Sequence, residues 1–188
     1  MVRFWPSYRT ESGRYWRQAG SMSERDDLIA TLTKHRGFLR HTTQGLTDEQ
    51  LGLRTTASEL CLGGLVKHVT SAERNWAEFI VQGPPAMGDF TAMTEEDWQR
   101  RADEFRMLPG DTLAGILAEY EKVAGATDEL VRNLPSLDAT QPLPKAPWNT
   151  EESWTARRVL LHVIAETAQH AGHADIIRES LDGQKTMG

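Results

Sequence analysis

The sequence predicts an all-α fold, a four-helix bundle with long connecting loops covering one end. Three observations predict it: four long stretches carry apolar residues at helical spacing, capping residues or Gly and Pro mark their ends, and no segment alternates like a strand. The chain has 188 residues, 39% of them hydrophobic, which is enough for one packed core. We assign residues 23–183 to the bundle, 1–22 to a disordered leader rich in Arg and aromatic residues, and 184–188 to a C-terminal tail.

The first two long helices have recognisable ends. Ser23 followed by Asp26 is typical of an N-cap with an acidic third residue. A polar break at 45–48 ends this helix. The second helix is predicted over 58–82, because the Gly-Pro-Pro sequence at 83–85 cannot continue a helix.

Two proline-rich or glycine-rich connections separate the remaining helices. Residues 83–110 are predicted to be mostly loop, with one short helix after Thr94, whose acidic followers suit a first helical turn. The third long helix is predicted to start at Asp111 or Thr112. Four prolines in 135–153 predict that this stretch has no regular structure.

The last helix, predicted from about Trp154 to Leu181 and ended by Gly183, carries a polar stripe. At about 100° per residue, one face of this helix collects a set of polar and β-branched residues. They are Val159, His162, Val163, Glu166, His170, His173 and Ile177. Because the valines and the isoleucine belong in a core, we expect this face to point inward with its carboxylate and imidazoles.

A buried, unpaired carboxylate costs several kcal/mol, so Glu166 requires a cation or a proton. No lysine or arginine shares its face. Glu166 and His170, four residues apart, can bind one divalent ion from a single helix, and His68 on the second helix can supply a third ligand. The pattern therefore predicts a metal site in the bundle core.

Each of these residues also has a simpler interpretation. A single histidine such as His68 on an apolar face is more often a packed core residue. A Glu-x-x-x-His pattern is common on exposed helix faces, and His170 and His173 could reach solvent at the bundle end. Cys61 is interpreted as a small packed residue rather than a nucleophile. The residue pattern alone leaves these alternatives open.

Two segments, 64–69 (Gly-Leu-Val-Lys-His-Val) and 166–179 (Glu-Thr-Ala-Gln-His-Ala-Gly-His-Ala-Asp-Ile-Ile-Arg-Glu), resemble the DinB superfamily of metal-binding four-helix bundles. The chain looks closest to the actinobacterial branch that is similar to mycothiol-dependent maleylpyruvate isomerases and mycothiol S-transferases. The resemblance implies the metal ligands His68, Glu166 and His170, with the glutamate replacing a histidine of other members. It places His173 beside the ligands or the substrate, where other members often have glutamine, and makes His162 a residue that is usually not a ligand. It also implies a possible homodimer. In the proposed mechanism His173 is a candidate for proton transfer.

The leading hypothesis is a metal-dependent transferase that conjugates a low-molecular-weight thiol, such as mycothiol, to a small electrophile. The alternatives are a metal-dependent hydrolase and a non-catalytic bundle that binds a metal or a ligand. Imidazole and carboxylate ligands suit zinc, nickel, iron and manganese, and we expect Zn²⁺, with Ni²⁺ or Fe²⁺ as further possibilities.

Composition argues against two classes of partner and leaves a small-molecule substrate as the expected one. A net charge of -6 argues against binding to nucleic acid or to anionic membranes. The single cysteine and the lack of a long apolar run predict a cytoplasmic protein without a membrane span.

Overall fold

The computed structural model of the protein describes residues 23–146 and 149–186. The predicted leader at 1–22 lies outside the described residues, so that assignment stays a prediction. Six α-helices are described, together with a short 3₁₀-helix at Pro84–Met87. The α-helices are α1 (Glu24–His41), α2 (Asp48–Leu51), α3 (Leu62–Gln82), α4 (Glu95–Asp103), α5 (Leu113–Asn133) and α6 (Ala156–Asp182). The described helices include none with the length and apolar character that crossing a membrane requires.

Side-chain caps determine where most of these helices start. Ser23 accepts from the backbone N–H of Asp26 at 3.2 Å, and the carboxylate of Asp26 accepts from the N–H of Ser23 at 3.0 Å. Thr94 caps α4 in the same way, and Thr112 caps α5. Gly183 ends α6 in the left-handed conformation, with φ of 79°. These four helix ends confirm the sequence predictions.

Two details between α1 and α3 differ from the prediction. Helix α3 begins at Leu62 rather than near Ser58, because the residues before it form local side-chain turns, with the N–H of Leu60 donating to Ser58 Oγ at 3.2 Å. Its N-cap, Cys61, makes no side-chain cap hydrogen bond, so the sequence carries no marker of this start. The four-residue helix α2 begins at Asp48, the last residue of the predicted polar break, and lies where no helix was predicted.

The prediction that 135–153 has no regular structure, and that the chain has no strand, is wrong. Strand β1 (Thr140–Pro142) pairs antiparallel with β2 (Ser153–Thr155). Pro142 is tolerated at the end of a two-stranded ribbon, where its missing N–H costs no interior ladder bond. Three-residue strands are too short to show an alternating pattern. The pairing leads directly into α6, whose first backbone N–H, that of Ala156, donates to the carbonyl of Ala139 at 2.8 Å.

The four long helices run up, down, down and up, so α1 is parallel to α6 and α3 is parallel to α5. Contacts between residues at matching ends establish these directions. Pairs that increase together along the chain join α1 to α6 (Glu24–Arg157, Thr42–Arg178) and α3 to α5 (Lys67–Asp111, Arg74–Glu119). Pairs that run in opposite order join α3 to α6 (His68–His170, Trp76–His162). Parallel neighbours cannot be joined by a short turn. The chain from α3 to α5 must therefore return along the bundle, and this return brings residues 104–106 beside the first half of α3.

Apolar side chains form two clusters, one towards each end of the bundle, which confirms the packed helical core. The first cluster includes Leu39, Leu51, Leu62, Leu65, Val69, Tyr120, Ala174 and Ile177. The second includes Leu28, Phe79, Ile80, Val131, Leu137, Val159 and Leu160. Several ionisable residues of the long helices lie between members of these two clusters: Arg36, His68, Glu73, Asp128, Glu166 and His170. The buried Arg178 is an exception at the end of α6. The bundle thus has a polar middle layer, which contains the residues of interest for function.

Candidate metal centre

Three residues of the polar middle layer meet across the interface of α3 and α6. Helix α3 supplies His68, and α6 supplies Glu166 and His170 one turn apart. Each offers one ligand atom, and these atoms lie within 4.8 Å of one another. Nε2 of His170 is 3.5 Å from a carboxylate oxygen of Glu166, and the rings of His68 and His170 are 4.9 Å apart, edge to face. The structure thus brings together the three residues singled out in the sequence.

The three side chains are partly buried. The exposed fractions of their side chains are 13% for His68, 12% for His170 and 29% for Glu166. The stripe of α6 therefore faces the bundle as expected, with the carboxylate at the edge of a cavity. A hydrogen bond with His170 is the main reason that the pKa of Glu166 lies below its ordinary value of 4.5; it outweighs the burial that would raise this pKa. Glu166 is consequently an anion near neutral pH, and no described lysine or arginine forms an ion pair with it.

These residues suit a divalent metal ion. Two imidazoles and one carboxylate, supplied by two helices, are the donor set of an open catalytic zinc site, which keeps a position for a further ligand. Nδ1 of His68 is buried and has no hydrogen-bond partner among the described residues. A buried polar atom of this kind usually has a function or an unseen partner. The donor set fits a bound metal, and Nδ1 of His68 needs a partner of its own.

The other two histidines of the stripe take different positions. Nδ1 of His173 lies 3.4 Å from Nδ1 of His170, on the side of that ring away from Glu166. His162 packs against Trp76 and Trp154, and burial lowers its pKa from the ordinary value of 6.5. Neither belongs to the three-residue cluster among the described residues.

A cavity of about 320 Å³ opens onto the cluster. His68, His162 and Glu166 lie in its wall, and Trp76 and Trp154, which stack with ring centroids 5.1 Å apart, form an aromatic side. Both long connections contribute to the opposite side, through Phe90, Arg101, Pro144 and Asn149. Within the described residues His173 is not part of this wall. The cavity gives a small molecule access to the cluster and surrounds it with aromatic surface.

Sequence reasoning missed the residues that surround His68. Phe105 stacks on the His68 ring with centroids 3.9 Å apart, and a carboxylate oxygen of Glu104 lies 3.6 Å from Nδ1 of His68. Ser71 donates a hydrogen bond of 2.6 Å to the other oxygen of Glu104. Burial raises the pKa of Glu104, but His68 and Ser71 more than offset this and hold it below the ordinary value. These residues lie in an irregular segment without periodicity, so no sequence signal could have identified them.

The fold and the cluster define a class, the DinB-like four-helix bundles with a His/Glu cluster capable of holding a metal. The chain belongs to the mycothiol-S-transferase family, whose model matches residues 27–183. This confirms the resemblance to the DinB superfamily and its mycothiol-using branch.

A solved structure supports the same fold. The chain is similar to YfiT from Bacillus subtilis, described as a probable metal-dependent hydrolase with an unusual four-helix bundle topology, at 19% identity and a TM-score of 0.59. The match covers 86% of this chain and 91% of that one, and at this identity it establishes the fold alone. No curated protein matches the chain significantly.

Proposed function

We propose that the protein is a metal-dependent S-transferase that joins a low-molecular-weight thiol to a small electrophile. The observation that carries the proposal is the convergence of His68, Glu166 and His170, of which His68 and Glu166 line a cavity of about 320 Å³. Membership of the mycothiol-S-transferase family supports a thiol, with mycothiol as the first candidate. Zinc is the first candidate for the metal, because two histidines and a glutamate are a common catalytic zinc set.

The proposed ligands are His68, Glu166 and His170. A divalent ion held by them would lower the pKa of a thiol and so supply a nucleophilic sulfur near neutral pH. In the overall reaction the sulfur forms a bond to the electrophilic carbon, and the thiol proton and any leaving group depart. The protein contributes orientation, because Trp76 and Trp154 offer flat surfaces against which a small substrate can pack.

His173 is proposed to assist through His170 rather than through the cavity. With their Nδ1 atoms 3.4 Å apart, one ring nitrogen carries the proton and the other accepts it. This contact orients the His170 ring. With Nε2 of His170 on the side of Glu166 and the proposed metal, that ring could not pass a proton on to a substrate, so His173 would act by orienting His170.

A metal-dependent hydrolase is the second candidate. The same cluster could activate water instead of a thiol, and the similar structure from Bacillus subtilis is described as a probable metal-dependent hydrolase. The two functions differ in their second substrate, so a direct comparison separates them.

The test combines metal analysis with two activity assays. The wild type, His68→Ala, Glu166→Ala and the control His41→Ala, which changes an exposed histidine of α1, are purified and loaded with zinc. We expect one ion per chain and thiol conjugation in the wild type and the control, and loss of both in the two cluster variants. Ester hydrolysis without conjugation, abolished by His68→Ala, would favour the hydrolase. A wild type that takes up no metal would contradict both functions and leave a non-catalytic bundle.

A further inference from the structure

His68 is held on two sides by the chain that returns from α3 to α5. The segment 104–106 passes close to α3, with the Phe105 ring stacked on one face of the His68 ring and the Glu104 carboxylate at its Nδ1 edge. Stacking limits how far the ring can tilt, and a charged acceptor at one edge limits how far it can turn about its own axis.

The segment is itself fixed to α3 by independent contacts. Nζ of Lys67 donates to the carbonyl of Arg106 at 2.9 Å, and Ser71 donates to Glu104 at 2.6 Å. The carbonyl of Phe105 lies so close to Gly64 that a Cβ at that position would meet it at 2.0 Å. Glu104 is half-buried and bound by Ser71, so its second oxygen is kept beside His68.

From these contacts we infer that Glu104 is a positioning residue: its carboxylate accepts the Nδ1–H of His68 and thereby leaves Nε2 of that ring for the metal. The inference rests on the proposed metal site and adds a residue that is not one of its ligands. Nδ1 of His68 is buried and lacks a hydrogen-bond partner among the described residues, and the carboxylate is the acceptor beside it at 3.6 Å. Histidine ligands usually donate their second N–H to a carboxylate or carbonyl in this way, which selects the tautomer that can bind metal.

The cluster thus has one such support on each imidazole. His170 has His173 at its Nδ1 from within α6, whereas His68 has Glu104 from outside the helix that carries it. Glu104 also lines a second cleft, between α3 and α5, together with Ser71, Lys67 and Arg74. The position of the His68 ring therefore depends on a segment that no long helix contains.

The first arm of the test uses metal-free protein above the titration range of histidine. Nitrogen-15 NMR of the His68 ring reports which nitrogen carries the proton. We expect the Nδ1–H form in the wild type and a shift towards the Nε2–H form in Glu104→Ala. A wild-type ring that is mainly in the Nε2–H form would overturn the inference, and this result requires neither a variant nor a metal.

The second arm measures zinc affinity by competition with a chelating dye. Glu104→Gln is compared with Glu119→Gln, which removes the same charge from a carboxylate that lines the second cleft and bonds Arg74 instead. We expect about a 10- to 100-fold loss of affinity for Glu104→Gln and less than about a threefold change for Glu119→Gln. Equal affinities in the two variants would overturn the inference even if zinc binds. If the wild type binds no zinc but has the Nδ1–H tautomer, the proposed function fails, whereas the hydrogen bond from His68 to Glu104 stands.

Discussion

At the scale of single residues, the middle layer of the bundle contains a second group of buried charges besides the candidate metal ligands. Arg36 of α1 makes two hydrogen bonds to Glu73 of α3 and one of 2.8 Å to Asp128 of α5. The side chains of Arg36 and Glu73 are 5% and 0% exposed. The buried hydroxyl of Tyr120 has no hydrogen-bond partner among the described residues, and burial, with the charge of Glu73, raises its pKa. This group joins three helices through charges that are buried in Arg36 and Glu73 and 18% exposed in Asp128.

Removing one member of this group of buried charges should lower the free energy of unfolding substantially. Glu73→Ala leaves the Arg36 guanidinium buried with only Asp128, so we expect the free energy of unfolding to fall by about 3–5 kcal/mol. Urea unfolding followed by circular dichroism measures it. Glu119→Ala, which breaks the more exposed pair with Arg74, should change the same quantity by less than about 1 kcal/mol. Similar losses in the two variants would contradict this prediction.

Glu166 gives a prediction about pH in metal-free protein. Its pKa in the folded state lies below the ordinary value of 4.5, mainly because of His170. A lowered carboxylate pKa stabilises the folded state above that ordinary value, and this stabilisation disappears as the pH falls through the folded-state pKa. The difference in unfolding free energy between the wild type and Glu166→Gln should therefore shrink below about pH 4.5. A difference that stays constant from pH 6 to pH 3 would speak against this prediction.

The residues of the site divide clearly into those that the sequence could predict and those that it could not. Glu166 and His170 share one helix face, and His68 lies on an apolar face, so helical periodicity identified all three. Their role as ligands stays a prediction. Glu104 and Phe105 approach His68 only because the chain returns along α3, a feature of tertiary structure. The segment between α4 and α5 that contains them has no repeating hydrophobic pattern from which such contacts could be predicted.

At the scale of elements, the close approach of the returning chain to α3 requires a glycine. A Cβ at Gly64 would meet the backbone carbonyl oxygen of Phe105 at 2.0 Å, and neighbouring backbone cannot move aside as easily as a side chain. Gly64 lies one turn before His68 on α3. Gly64 therefore allows the returning chain to approach α3 closely enough for Glu104 and Phe105 to contact His68.

Gly64→Ala should displace residues 104–106 without altering any proposed ligand. We expect lower stability, by about 1–3 kcal/mol as for other overpacked sites, together with weaker zinc binding. Thermal unfolding and dye competition measure the two effects. Gly125→Ala is the matched control, since its Cβ would have no neighbour within 4 Å and alanine favours a helix by about 0.5–1 kcal/mol. A Gly64→Ala protein with wild-type stability and affinity would show that the approach is not restrictive.

Helix α4 should be the least protected of the longer helices. Its nine residues include none that is buried, whereas α3 buries ten of its twenty-one. Local opening costs little where few apolar contacts are lost. Amide hydrogen exchange should therefore be fast in α4 and slow in the middle of α3. Protection in α4 equal to that in α3 would contradict this expectation.

At the scale of the whole molecule, the candidate metal centre joins two helices that are distant in sequence. An ion bound by His68 and by the pair on α6 would bind the folded state and not the unfolded chain. Folded-state ligands raise stability in proportion to the logarithm of their concentration, by about 2.7 kcal/mol at a hundred times the Kd.

Zinc should consequently raise the melting temperature of the wild type in a concentration-dependent way. Differential scanning calorimetry with increasing zinc measures this rise, and His170→Ala should show little of it. His41→Ala, with its exposed histidine on α1, should behave like the wild type. An equal response in His170→Ala would place the bound ion elsewhere.

The overall architecture was largely predictable, and its exceptions share one cause. The long helices have enough turns for periodicity and caps to identify them, as Ser23 and Gly183 illustrate. Helix α2 and the strands β1 and β2 span only three or four residues, so pairing partners and packing decide their conformation rather than local preference. The parallel arrangement of α3 and α5 depends on tertiary packing, and no local sequence pattern predicts it.

The division of the three proposed ligands between α6 and α3 has a consequence for how the protein would acquire its ion. An isolated α6 offers only two of the three proposed ligands, Glu166 and His170, so it would bind the ion more weakly than the folded protein. Tight metal binding would therefore follow the assembly of the helices and would not initiate folding. The metal-free protein would then already be folded, and adding the ion later would complete the site without refolding the chain.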